Sequence, residues 1–235
     1  MLRTSMKMLA GVLAAGAVLS ACGPARLGAA VVTSNGRISS ETLSAEVSNL
    51  NQGLAAYGGR VALQFPESQK PQQVLSWLVR FKVRDELAMR YGIKVTPGES
   101  QKALAQLSAQ ATQGQTGAAV PFKALAVANG LPVNRIGDLA RYEAIQAVIV
   151  TRMDGGTLPT GNAAQQALTT KFMTAECRAA KALDIKVSPQ YGRLNYNGYS
   201  VASAPSTLAA AEPGASPSPS PSPSSSAKPQ YRPAC

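Results

Sequence analysis

The chain of 235 residues contains no histidine. That absence removes Ser-His-Asp and Cys-His nucleophilic catalysis and every metal site that needs an imidazole. Cysteine is nearly as scarce. Cys22, Cys177 and Cys235 are the three present, too few for a cysteine zinc site. No cofactor or metal is expected. Acidic residues are also few, 12 against 23 lysines and arginines, for a net charge of +11. The basic residues are scattered, with no compact Lys/Arg run that would form a dedicated patch. The acids offer no paired carboxylates for acid–base work. Glu99 reads as a helix cap, and Asp85-Glu86 and Glu143 read as isolated, solvated acids on helices. Nothing in this inventory supports an enzyme. The apolar run from Met8 to Leu19 is too short to cross a bilayer, which takes about 20 residues.

What is present begins with that run. Arg3 and Lys7 precede it, and Leu19-Ser20-Ala21-Cys22 follows it. A basic start, a short apolar core and small residues at the end make a secretory signal. The closing Leu-Ser-Ala-Cys resembles the lipobox of bacterial lipoproteins. The resemblance implies cleavage before Cys22 and a diacylglycerol on its thiol, the side chain most readily alkylated near neutral pH. Residues 1–21 are therefore expected to be removed, and with them Arg3 and Lys7. The net charge then falls from +11 to +9. The mature chain would sit at the cell membrane, lipid-anchored on its extracytoplasmic face. Nucleic acid is not a partner there. The bilayer reached through Cys22 is one counterpart, and anionic headgroups or wall polymers suit the basic surface. A solvated basic surface with no specific partner is the plain alternative. Export also permits a disulfide between Cys177 and Cys235.

Along the mature chain, residues 22–29 read as a tether. Ala29 to Thr33 is a strand candidate ending in β-branched residues, and Asn35-Gly36 is a tight-turn pair. Ser39 or Ser40 can cap a helix. Leu43, Val47, Leu50, Leu54 and Tyr57 then share one helical face. A second helix is predicted from Pro71 to Tyr91, apolar on more than one face over 74–83, as befits a central helix. Thr96-Pro97-Gly98-Glu99 spells a capping box opening a third helix, with Leu104, Leu107 and Ala111. A loop over 112–119, a short helix from Pro121 to Ala128 and a long helix through Ile136 to Met153 follow. A linker over 154–162 leads into a last helix at about 163–183. Ile185 to Val187 is extended, since residues before Pro189 avoid helical angles. It is expected to pair with the strand near 30–33 and close the domain. From about Ser203 the Ala/Pro/Ser-rich composition predicts a disordered tail.

Four stretches together resemble the N-terminal chaperone module of the SurA/PrsA/trigger-factor-like foldases. They are Val31 to Ile38, Leu87 to Glu99, Phe122 to Met153, and Asp184 to Gly192. The resemblance covers about three quarters of the mature chain. It implies a mainly α, SurA N-terminal-like helical domain over 30–200, with a small two-stranded β element and a disordered tail over 201–235. Full foldases of this group carry a parvulin prolyl-isomerase domain between the long helix and the last helix. Here that place holds only Asp154 to Asn162. Parvulin sites resemble ones built around histidines, so isomerase activity is expected to be absent. The function implied is a holdase lipoprotein sheltering unfolded exported polypeptides. Trp77, Phe81, Met89 and Phe122 are the candidate client-binding residues, with ordinary core packing as the alternative for each. A second class is a structural or accessory envelope lipoprotein that binds one specific partner.

Overall fold

A computed structural model describes residues 28–58, 61–113, 120–156 and 160–203. Strand β1 (Ala29–Thr33) and strand β2 (Gly36–Ser39) form an antiparallel hairpin, with Val31 opposite Ile38 and Thr33 opposite Gly36. The Thr33 hydroxyl donates to the Gly36 carbonyl at 2.9 Å and ties the turn. On the other edge of β1, strand β3 (Lys186–Val187) runs antiparallel, pairing Val31 with Val187 and Val32 with Lys186. The first and last parts of the domain are thus stitched together, as the pattern predicts. The sheet has three strands in the order β2-β1-β3 rather than the two expected. The tight turn folds Gly36–Ser39 back onto β1 and buries Ile38. In the sequence Arg37-Ile38 looks only like a lead-in to the first helix.

Helix α1 (Ser40–Ala56) starts at Ser39, whose hydroxyl accepts from the Thr42 amide at 2.9 Å. Leu43 and Leu50 are its fully buried contribution; Val47, Leu54 and Tyr57 pack on the core half-buried. Helix α2 (Lys70–Arg90) has Pro71 in its first turn, where the missing N–H costs nothing. Helix α3 (Pro97–Thr112) opens with the capping box complete: Thr96 accepts from the Glu99 amide, and Glu99 accepts from the Thr96 amide at 2.7 Å. Helix α4 (Phe122–Ala128), helix α5 (Ile136–Met153) and helix α6 (Asn162–Ala182) complete the mainly helical domain.

A second, two-stranded sheet of β4 (Arg193–Asn195) and β5 (Ser200–Ala202) lies on α2. Its anchor is a buried hydrogen bond of 2.8 Å from the Val201 amide to the Ser76 hydroxyl. Tyr199 and Val201 enter the main core. No periodicity in three-residue strands announces this hairpin, so the sequence reading misses it. It also carries the ordered elements past the boundary drawn at 200. Helix α2 is indeed central. Val74, Leu75, Val79 and Val83 are fully buried, and α1, α5, α6 and β5 all pack against it. The signal segment, Cys22, the loop over 114–119, the tail beyond 203 and Cys235 lie outside the described residues.

Candidate binding surfaces

The charged residues set the frame. Arg84, on the central helix, is only 2% exposed. It donates to Gln146 and to Glu176, both at 2.9 Å, and its guanidinium lies 3.8 Å from the centre of the Tyr142 ring and 4.8 Å from that of Phe172. A buried cation held by a carboxylate and two ring faces ties α2 to α5 and α6. Of the acids expected to be solvated, Asp85 is exposed, while Glu86 and Glu143 are placed otherwise. Glu86 is buried, accepts from Arg90 at 2.8 Å and faces Asn35. Asp85 pairs with Arg141 across to α5. Glu143 is half-buried, and burial pushes its carboxyl above the usual range despite the opposing charge of Arg84. Arg90 follows Glu86 by four residues on α2, a spacing the sequence shows, whereas Asp85 meets Arg141 and Glu143 nears Arg84 only because α2 and α5 pack together. Among the described residues, no group of three or more Cys, Asp or Glu side chains is arranged to hold a metal ion.

The four residues singled out as client-binding divide. Trp77, Phe81 and Phe122 meet at one satellite cluster, packed half-buried over Ala126, Leu131, Ile136 and Leu139. Trp77 and Phe81 ring centres are 5.9 Å apart, and Phe81 meets Tyr142 edge-on at 6.0 Å. The Trp77 indole donates to the Asn129 carbonyl at 3.0 Å. Met89 stands apart from them, 65% exposed near the end of α2.

Helix α3 closes this region incompletely. Of its side chains only Ala103 is buried; Leu104 and Leu107 stay half-buried beside the aromatic cluster. Between α3 and α5 an open groove of about 520 Å³ remains. Ala103, Ala144, Ala147 and Val148 make its walls, while Glu99, Lys102 and Arg152 stand along it. That volume falls within the span of about 300–1,000 Å³ common for ligand clefts. None of the four residues named from the sequence lines it. Small residues on facing helices make the groove, and alanines carry no signal of their own in a sequence.

Cys177, on α6, is disulfide-bonded. The chain's other two cysteines, Cys22 and Cys235, both lie outside the described residues. No helix among the described residues is long and apolar enough to cross a membrane. No family model, no curated protein and no solved structure matches the chain.

Proposed function

We propose that the protein is a membrane-anchored extracytoplasmic holdase that shelters unfolded exported polypeptides without isomerising prolyl bonds. The observation that carries the reading is the open groove left between α3 and α5, apolar in its walls and charged along its length. An extended segment without a fixed sequence is held by such a surface, because apolar burial is not directional. The adjoining half-buried face of Leu104, Leu107, Trp77 and Phe122 enlarges the apolar area on offer. The motif resemblance to SurA-type modules supports the same reading, and so does the pairing of β3 back onto β1. With no histidine in the chain and only a short 154–162 connection, the parvulin-type chemistry has neither residues nor room. The anchor is the Cys22 lipid; a Cys22→Ser chain is expected to lose fatty-acid labelling and membrane retention.

The test is suppression of aggregation of two unrelated clients, thermally unfolding citrate synthase and reduced insulin, beside a prolyl-isomerase assay. The wild-type chain should protect both and isomerise neither. Ala147 is exposed on the groove wall, so Ala147→Glu should keep the thermal midpoint and lose protection. Trp77→Ser should instead lower the midpoint, because it removes the indole bond to Asn129 and a packed ring. A wild-type chain that protects neither client, yet binds one envelope partner tightly, would replace this reading with the accessory one.

A further inference from the structure

A second cavity, of about 300 Å³, opens beside α2, between the β2–α1 corner and α5. Its charged lining is Arg37, Lys82, Arg135 and Arg141 against Asp85 and Asp138, with Arg84 in addition. The two aspartates are already committed, Asp85 to Arg141 and Asp138 to Arg135 at 2.9 Å. Arg135 also donates to Glu46 at 2.6 Å, and Arg84 to Glu176. Lys82 and Arg37 are left with no ion-pair partner among the described residues. Positive charge is therefore in excess in the cavity lining, and it comes from the groups with free donors.

Two further features point to a ligand rather than to a solvated basic surface. The Nε of Arg84, on a side chain 2% exposed, is a buried donor with no hydrogen-bond partner. A buried donor left unpaired costs free energy, about 1–3 kcal/mol. The other walls of the cavity are apolar, from Ile38, Leu78, Phe81 and Tyr142. Bare ions in water gain nothing from such walls; a group with an attached ring or short alkyl chain does.

We propose that this cavity is a binding site for a phosphate ester carried on an apolar group. The phosphate is received by Lys82 and Arg37, the cations of the lining without an ion-pair partner, and the apolar part lies against Phe81 and Leu78. Phosphate suits the site better than a single carboxylate, because two cations of the lining, Lys82 and Arg37, have no ion-pair partner among the described residues and a phosphate monoester is near-dianionic at neutral pH. The same chemistry is offered by a soluble ester and by a lipid headgroup. This site is separate from the α3–α5 groove, and the inference does not depend on the holdase reading.

The test is calorimetric titration of the purified full chain at low ionic strength with three probes. Phenyl phosphate and the water-soluble lipid dihexanoyl phosphatidic acid, both phosphate monoesters, represent the two sources, and inorganic phosphate is the control for the apolar wall. Saturable one-to-one binding is expected for at least one of the two esters, about tenfold tighter than inorganic phosphate. Preference for one ester then identifies the source. Lys82→Gln with Arg37→Gln should weaken binding by about tenfold, the size expected when hydrogen bonds to a charged group are lost. Neither residue carries an ion pair, so the double variant should keep the wild-type thermal midpoint and circular dichroism. A Leu78→Ala chain should weaken the esters and leave inorganic phosphate unchanged. Absence of saturable binding by both esters would overturn the proposal. So would equal binding of all three probes, or binding indifferent to the Lys82/Arg37 change.

Discussion

Arg84 shows how much a single residue can hold. Its guanidinium joins three helices through Gln146, Glu176 and two aromatic faces. Removing one member of a buried ion pair strands the other, at a cost of about 3–5 kcal/mol. Arg84→Leu is therefore expected to lose most of that amount in urea unfolding, and adding Glu176→Leu should recover part of it. The carboxylates set the pH response with opposite signs. Burial works to raise the Glu46 carboxyl, but hydrogen bonds from Arg135, Asn134 and Asn49 together hold it below its usual value of 4.5. Its folded state is thus favoured above the unfolded value, and that stability fades as pH falls below about 4.5 through the depressed folded value. Glu46→Gln should cost stability at pH 7 and progressively less in acid. Glu143 runs the other way, because burial raises it. Its penalty appears as pH rises through the unfolded carboxyl range, so Glu143→Gln should raise the thermal midpoint at pH 7 and not at pH 3.5. Thermal scans of the two variants across pH distinguish these signs.

At the scale of the element, the local start and stop signals carry weight in measurable amounts. The Thr96–Glu99 capping box is complete, and Thr96→Ala should destabilise the chain by about 1 kcal/mol, the usual worth of a threonine cap. The β4–β5 hairpin depends on a backbone feature instead. Gly192 has φ of +121°, and a Cβ there would collide with the Ala202 carbonyl oxygen, a backbone atom. Gly192→Ala should therefore cost more than the cap loss, read in the same denaturant titration, and it should expose Tyr199 to quenching. Gly53 is the counterpart within α1. A Cβ at that position would sit 2.8 Å from a Val133 methyl, so only glycine lets α1 lie this close to the segment after α4. The caps were legible because Ser39, Thr96 and Glu99 act on neighbours three residues away. The hairpin was not, because Val201 finds its hydrogen-bond partner at Ser76, on another element.

Across the whole molecule, two long-range links bear on function. The β1–β3 pairing closes the domain, and the Cys177 disulfide ties α6 to a cysteine elsewhere in the chain. If Cys22 carries lipid through its sulfur, Cys235 is the remaining partner. A Cys235→Ser chain should then show one free thiol, at Cys177, by titration with Ellman's reagent. A chain with no free thiol after that change would assign the bridge to Cys22 and remove the lipid anchor with it. The stability lost on breaking a Cys177–Cys235 bridge should be modest, since the loop it closes is mostly tail rather than core.

The sequence by itself determined the helices, their caps and the closing strand, because those depend on spacing, turn chemistry and neighbours within a few residues. Leu43 and Leu50 fall on one face by periodicity alone, and Pro71 and Gly92 mark the ends of the second helix. Absence of histidine excluded whole classes of chemistry before any fold was known. Tertiary structure alone decided where charge and open surface lie. Arg84 is no different from Arg80 as a letter, yet one is buried between aromatic rings and the other donates to the Gly198 carbonyl near the surface. The groove between α3 and α5 has Ala103, Ala144 and Ala147 in its walls, and the basic cavity draws Arg37, Lys82 and Arg135 from three separate elements. Such sites exist only once helices distant in the chain pack side by side, since a cleft belongs to the space between elements.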